Sequence, residues 1–476
     1  MSYRDVIVAA AILGSLPFCF LRPWIGVLVW SWIGYMNPHR LTWDFAYSQP
    51  WALMVALATL SGLVLLAGKE RRPLPRTLSV YLLVTLWAIF VLSTFGALQP
   101  TDAWDQLDKV SKILLITFVT MTLFRDVERV RILLYVIALS IGFFGLKGGI
   151  WAIGTGGANK VLGPPESFIA GNTEIGMALV MVIPLLLLLS RHEPRYWART
   201  GLRVVMGFSV VAVLFTYSRG AVLGLAVIMP LMFLKSKMRL LIIPLAIVAA
   251  LFGQAIAESV FPDQWLLRMG TVQTYERDKS ANMRLNSWLV SYRLAKDYPI
   301  FGAGFRPFSP AVYLTYSPDE KWNTVQDAHS IYFQVMAEHG FLGFALYMGV
   351  IVSSLVALRR IMSQTRRRPA LKLHHDMAQM IEVSLLGFLI VGAFLSMSYF
   401  DLFFHLIAIT ALLKVLVAEA LAQEHAAPAA PVVVPGRVPP RGPVRVPPRG
   451  PALPAPASAP SRALPLSRPR PAPPRA

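Results

Sequence analysis

The stretch "GMALVMVIPLLLLLSRHEPRYWARTGLRVVMGFSVVAVLFTYSRGAVLGLAVIMPLMFL", residues 176–234, decides the fold. It holds apolar runs near 173–190, 202–217 and 219–234, parted by a basic connector and by the short polar "TYSRG". Runs of that length and apolarity read as membrane-spanning helices. Comparable runs lie near 51–67, 79–98, 109–124, 130–154, 238–258, 331–357, 380–397 and 400–421, after an apolar first segment. The whole chain of 476 residues is 55% hydrophobic and 15% charged, with a mean hydropathy of +0.56, which excludes an ordinary water-soluble domain. The expected fold class is all-α and polytopic, with about twelve transmembrane helices. No charged n-region with a small-residue cleavage site precedes the first run, which reads as an anchor. The lone Cys19 sits in an apolar run and reads as packing.

Orientation follows from charge. The basic connectors "GKERRPLPR" from Gly68, "RDVERVR" from Arg125, "RHEPRYWARTGLR" from Arg191, "KSKMR" from Lys235 and "RRIMSQTRRR" from Arg359 fall at every second loop. The positive-inside rule places them in the cytoplasm, with "QPTDAWDQLD", "GPPESFIAGN" and the long segment 259–328 on the outer side. Residues 5–37, interrupted by Pro17 and Pro23, read as one broken crossing, which puts both termini in the cytoplasm. The net charge of +20 is partly a property of residues 425–476, where eight arginines and no acid follow His425 and "RVPPRGP" occurs twice. That tail reads as disordered, with polyproline II character, either attracted to anionic lipid headgroups or dispensable, and it does not imply a nucleic acid partner. Residues 1–424 then form the membrane domain, with the outer segment 259–328 holding short helices.

The outer segment is basic, against the usual bias, with Arg268, Arg277, Lys279, Arg284, Arg293, Lys296, Arg306 and Lys321. An anion expected at this face accounts for it; solvated surface charge is the other reading for any one of them. In "MRLNSW", Arg284 and Trp288 stand at i, i+4 on one helix face, and an arginine braced by an aromatic ring suits bidentate phosphate contact. Arg219 lies at the outer junction of two spans beside Gly220, and Lys147 about two turns into its span. Cations at such depth are costly and read either as contacts to a partner or as snorkelling side chains.

In "HSIYFQVMAEHGFLG", from His329, the histidine stands at the outer mouth of an apolar helix. The positive end of the helix dipole disfavours imidazolium there, leaving a neutral ring able to take a proton; a capping histidine satisfied locally is the alternative. Gly340 and Gly343 allow close packing on a neighbouring helix. His339 reads as structural, and His374 and His375 as bystanders. The chain has no P-loop, HExxH, DxD-like cluster or cysteine pair, so no metal and no cofactor are expected. Cations plus one base suit a leaving group that is already a diphosphate.

"HS", nine residues, then "GFLG" resembles the signature of O-antigen ligases: histidine, then Asn, Ser or Gln, nine residues, and two glycines spaced by two. "TYSRG", the Arg284 to Trp288 pair and "PIFGAGF" are similar to the wider ligase and polymerase superfamily. The opening "RPWIGVLVWSWIGYMNPHRLTWDFAYSQPW" resembles a branch described as O-glycosylation ligases associated with exosortase systems. The resemblance reaches to about Leu421. It implies a GT-C-like glycosyltransferase at the periplasmic face of the bacterial inner membrane, among membrane lipids. The implied donor is an undecaprenyl-diphosphate-linked glycan and the implied acceptor is a hydroxyl, in the ligases one of the lipid A core, without metal or nucleotide sugar. Under it His329 is the base or acceptor-orienting residue, and Arg219 and Arg284 hold the diphosphate. By position alone Asp401, in "SYFDLFF", supports them or forms a structural ion pair. A polymerase, a protein Ser/Thr oligosaccharyltransferase, and a flippase or exporter of an anionic lipid stand as alternatives.

Overall fold

The computed structural model describes residues 2–66, 68, 71–235, 258–259, 261–270, 279–317 and 324–426; the expected span near 238–258, the tail, Arg277 and Lys321 lie outside the described residues. Every regular element among the described residues is helical: α1 (Tyr3–Leu21), α2 (Pro23–Met36), α3 (Phe45–Ser48), α4 (Trp51–Leu65), α5 (Leu78–Phe95), α6 (Pro100–Leu123), α7 (Val127–Gly154), α8 (Asn172–His192), α9 (Tyr196–Leu214), α10 (Arg219–Leu234), α11 (Asp263–Gly270), α12 (Lys279–Asp297), α13 (Pro310–Tyr316), α14 (Ile331–Thr365), α15 (Lys372–Gly392) and α16 (Asp401–Ala426). Starts are marked where the sequence marks them. Asp126 and Ser218 cap α7 and α10 through their side chains, and proline opens α2, α6 and α13.

Among the described residues eight helices, α1, α5, α7, α8, α9, α14, α15 and α16, are long and apolar enough to cross a membrane, and α4 and α10 are shorter apolar helices. α6 falls outside this set because Asp102, Asp105, Asp108, Lys109 and Lys112 lie along it. The core lies along α8 and α16, which are buried over most of their length; α8 packs on α7, α9, α10 and α15.

Side-chain bonds sort the loops into two faces. Arg72 bridges to Glu419 at 2.8 Å, Lys235 and Arg359 share Glu382 at 2.6 and 2.9 Å, Tyr135 binds Glu193, and Arg368 binds Glu424. With Arg72 N–H also donating to Thr122 (2.9 Å) beside the second connector and His192 of the third bonded to Asp376 (2.8 Å), the described parts of the five basic connectors gather on one face together with the end of α16. The other face joins Arg40 to Glu166 at 2.6 Å, Leu98 to Ala303, Trp265 to Leu214 and His329 to Ser396.

The beginning of the chain departs from the expected single crossing. Pro17 stays inside α1, where its ring is tolerated, and the break falls at Arg22, with Pro23 opening a separate α2. The two helices form an antiparallel hairpin: the Ser2 amide bonds the Asp44 carboxylate at 2.9 Å, and the buried Asp5 accepts from the Ala46 amide at 2.9 Å. At the other end Gly62 of α4 lies against the Phe20 carbonyl, so close that a side chain there has no room. Ser2 and Ala426 thus stand at opposite faces, not the same one. A carboxylate in the first turn of α1, satisfied only by a distant amide, determines this and carries no local signature.

α14 is broken at Gly340, which has φ 68° and ψ −172°, a backbone conformation almost confined to glycine. The carbonyls of Ala337 and Glu338, deprived of helical partners, accept from Ala303 (3.0 Å) and Gly304 (2.9 Å), while the Phe341 amide donates to Pro299 (2.8 Å). The "PIFGAG" turn therefore fills the break, and its Gly302 and Gly304 adopt positive φ to fit. Gly340 was expected to pack on a neighbouring helix; it docks this turn instead. Gly343 faces the His339 side chain, which occupies the space of any added Cβ.

Candidate functional site

The start of α10 and one face of α12 converge on the loop 393–400 to line a half-open cavity of about 460 Å³. Arg219, Gly220 and Leu223 come from α10; Ala281, Arg284, Leu285 and Trp288 from α12; Phe394 from the loop. Arg219 is the first residue of α10, held there by the Ser218 cap and by Tyr217, whose φ is 57° and whose hydroxyl donates to the Gly157 carbonyl at 2.6 Å. An L residue in that region needs such support from its surroundings. Arg284 and Trp288 share one face of α12, as their spacing predicts. Trp288 stacks on Phe333 of α14, with ring centroids 5.2 Å apart and planes at 9°, and contacts Phe394 at 6.4 Å. Its buried Nε1 has no hydrogen-bond partner among the described residues. Gly220 is not demanded sterically, because an added Cβ meets Phe394 at an ordinary 3.5 Å.

His329 precedes the helix rather than capping it; Ser330 holds the cap position. Its backbone is left-handed, φ 46°, and its amide donates to Ser396 Oγ at 2.7 Å. The half-buried imidazole lies within the field of Arg284. Its pKa is lowered, first by burial and then by the Arg284 charge, against an opposing pull from Asp327. The neutral ring expected from the sequence thus has burial and a guanidinium as its causes, where the helix dipole had been invoked.

Other expected residues are placed elsewhere. Lys147 is exposed on α7 beside the exposed Phe143, Ile150 and Trp151, and the cavity lining does not include it. That is the setting of a snorkelling side chain. Asp401, the first residue of α16, lines a separate cavity of about 80 Å³ with Ser31 and Tyr35 of α2, Lys112 of α6 and His405. Arg268 lies in α11 with its side chain outside the described residues. His339 is fully buried, bonded through Nδ1 to Ser93 (2.7 Å) and through Nε2 to Tyr399 (2.8 Å). Among the described residues, no three His, Cys, Asp or Glu side chains converge as metal ligands.

The sequence reading missed Glu338 and Tyr399. Glu338 is buried in α14, accepting from the Tyr399 hydroxyl, the Arg306 amide (3.2 Å) and Gln334 (3.4 Å). An acid inside an apolar helix is itself a signal, but its partner lies 61 residues downstream.

A helical, polytopic membrane protein with a cationic, apolar-walled cavity at one face is the class these features define. Residues 204–348, which include Arg219, Arg284 and His329, match the family model described as O-Antigen ligase. Residues 3–194 match a second model, described as a family of unknown function. No curated protein matches the chain.

Proposed function

We propose that the protein is an O-antigen ligase of the bacterial inner membrane, transferring a glycan from undecaprenyl diphosphate to a hydroxyl of the lipid A core at the periplasmic face. The observation that carries this reading is the cavity itself: Arg219 and Arg284 set into walls of Leu223, Leu285, Ala281 and Phe394. An anion alone needs no apolar wall and a lipid alone needs no guanidinium; a polyprenyl diphosphate needs both. In the reaction the acceptor oxygen bonds to the anomeric carbon as the bond from that carbon to the diphosphate oxygen breaks. The electron pair leaves on the diphosphate, where Arg219 and Arg284 offset the growing charge. His329, neutral for the reasons given, takes the acceptor's proton. Trp288 Nε1–H is a further donor for a phosphate oxygen, on a ring already immobilised by Phe333.

The test is in vitro transfer by purified wild-type protein and His329→Ala, given an undecaprenyl-diphosphate glycan with rough lipopolysaccharide, a protein acceptor, or neither. Product on lipopolysaccharide, absent from the variant, is the expected result. Longer lipid-linked chains without acceptor, or glycosylated protein, would reassign the acceptor, and the lack of any product would return the protein to lipid transport. Transfer that survives loss of His329 would remove the base from the mechanism.

A further inference from the structure

His329 is held in a conformation that a non-glycine residue does not keep unaided, so something fixes it. The direct restraint is Ser396, and Ser396 belongs to a loop that is itself clamped. Ser398 bonds Gln334 through its amide (3.2 Å) and hydroxyl (2.8 Å), and Tyr347 donates to the Ser398 carbonyl at 3.1 Å. Next along the chain, the Tyr399 hydroxyl donates to Glu338. A phenol has one proton, so with that proton committed it accepts from His339 Nε2–H, which leaves Nδ1 to accept from Ser93, whose single proton then turns away from the Phe90 carbonyl 3.0 Å off. The donors therefore run in one direction, Ser93 to His339 to Tyr399 to Glu338, and end on a carboxylate, an arrangement in which each bond strengthens the next. The other oxygen of Glu338 holds the amide of Arg306, a residue at φ 50°. One buried carboxylate thus joins the loop behind His329, the turn that fills the α14 break, and the first half of α14.

We propose that Glu338 and Tyr399 are positioning residues: their buried hydrogen bond fixes the 396–399 loop on the first half of α14 and so holds His329 beside Arg284. This rests on the function proposed above for His329, although the geometry it asserts does not. The experiment compares wild type, Tyr399→Phe and Glu338→Gln by transfer kinetics and by the rate at which diethyl pyrocarbonate modifies His329, read by mass spectrometry. Tyr399→Phe should lower kcat on the order of 10- to 100-fold, as displacement of a reacting group by about 1 Å does, with the donor KM within about twofold. Its His329 should be modified at an altered rate. Glu338→Gln keeps an acceptor for Tyr399 only by turning its NH2 against the Arg306 amide and Gln334, so it should likewise lower kcat and alter the modification rate. The proposal is overturned if folded Tyr399→Phe keeps both the wild-type kcat and the wild-type modification rate, or if activity falls only in proportion to folded protein. Should wild type transfer nothing to any acceptor, the functional reading fails, while the modification rates still decide whether Tyr399 positions His329. Should Tyr399→Phe not fold, Glu338→Gln carries the same comparison.

Discussion

Replacing Gly340 with alanine tests whether the break in α14 is imposed by that residue. A Cβ built there comes to 2.6 Å from the Pro299 oxygen and 2.9 Å from the Gly302 nitrogen, distances that side-chain carbons do not tolerate. The backbone conformation adds strain of about 1–3 kcal/mol for a residue with a side chain. Displacing the 299–302 turn also forfeits the bond from the Phe341 amide to Pro299, about 1 kcal/mol. The expected loss is therefore about 2–4 kcal/mol. Gly207→Ala in α9 is the matched control: nothing lies within 4 Å of the new carbon, and alanine in a helix interior should be neutral or stabilising by about 0.5–1 kcal/mol. Both variants would be followed by unfolding in detergent micelles alongside turnover. A Gly340→Ala midpoint equal to or above wild type would refute the reasoning, because it would mean that the break survives, or is dispensable, without glycine.

Three further outcomes follow from the cavity and its surroundings. The base form of His329 is lost as pH falls through its lowered pKa, so the acid limb of kcat/KM should lie below the ordinary value near 6.5; Arg284→Gln removes one lowering cause and should move the limb upward, whereas Arg284→Lys should not, as read in pH profiles normalised to each variant's maximum. Arg219→Ala and Arg284→Ala should each weaken binding of the lipid diphosphate by roughly 10- to 150-fold, from about 1.5–3 kcal/mol per charged hydrogen bond, measured by titration of a fluorescent donor; equal binding would show that the lipid does not occupy this cavity. Lys147→Met should leave donor affinity and turnover unchanged within about twofold, since a snorkelling lysine adds no contact in the cavity; a larger loss would place Lys147 at the site after all.

Much of the architecture was legible because it rests on local signals. Apolar runs near 130–154 and 173–190 became α7 and α8, and the alternation of basic loops matches the single face on which the described parts of the connectors gather. Arg284 and Trp288 could be paired from their spacing, and Arg219 from its depth. Features set by distant partners escaped. The hairpin of α1 and α2 is held by Asp5 and Asp44, whose partners are 41 and 42 residues away, so proline content alone read as one bent crossing. Gly340 was legible as a glycine with a purpose, yet the purpose depends on a turn some forty residues earlier. Lys147 illustrates another limit: its depth in a span was visible, the exposed side of the helix it occupies was not. Glu338 was visible as an acid in a greasy helix, but its meaning depended on Tyr399.

The broken α14 also bears on how the protein is made. A hydrogen-bonded cylinder can enter the bilayer complete, since it leaves no peptide group for lipid to desolvate. The first half of α14 is not such a cylinder: two of its carbonyls are capped by residues 303 and 304, which leave the ribosome earlier and, in the orientation proposed above, cross the bilayer before it. Docking of that turn is then a late assembly step, awaiting delivery of a helix translated after it, and the site beside it stays incomplete until the two halves meet.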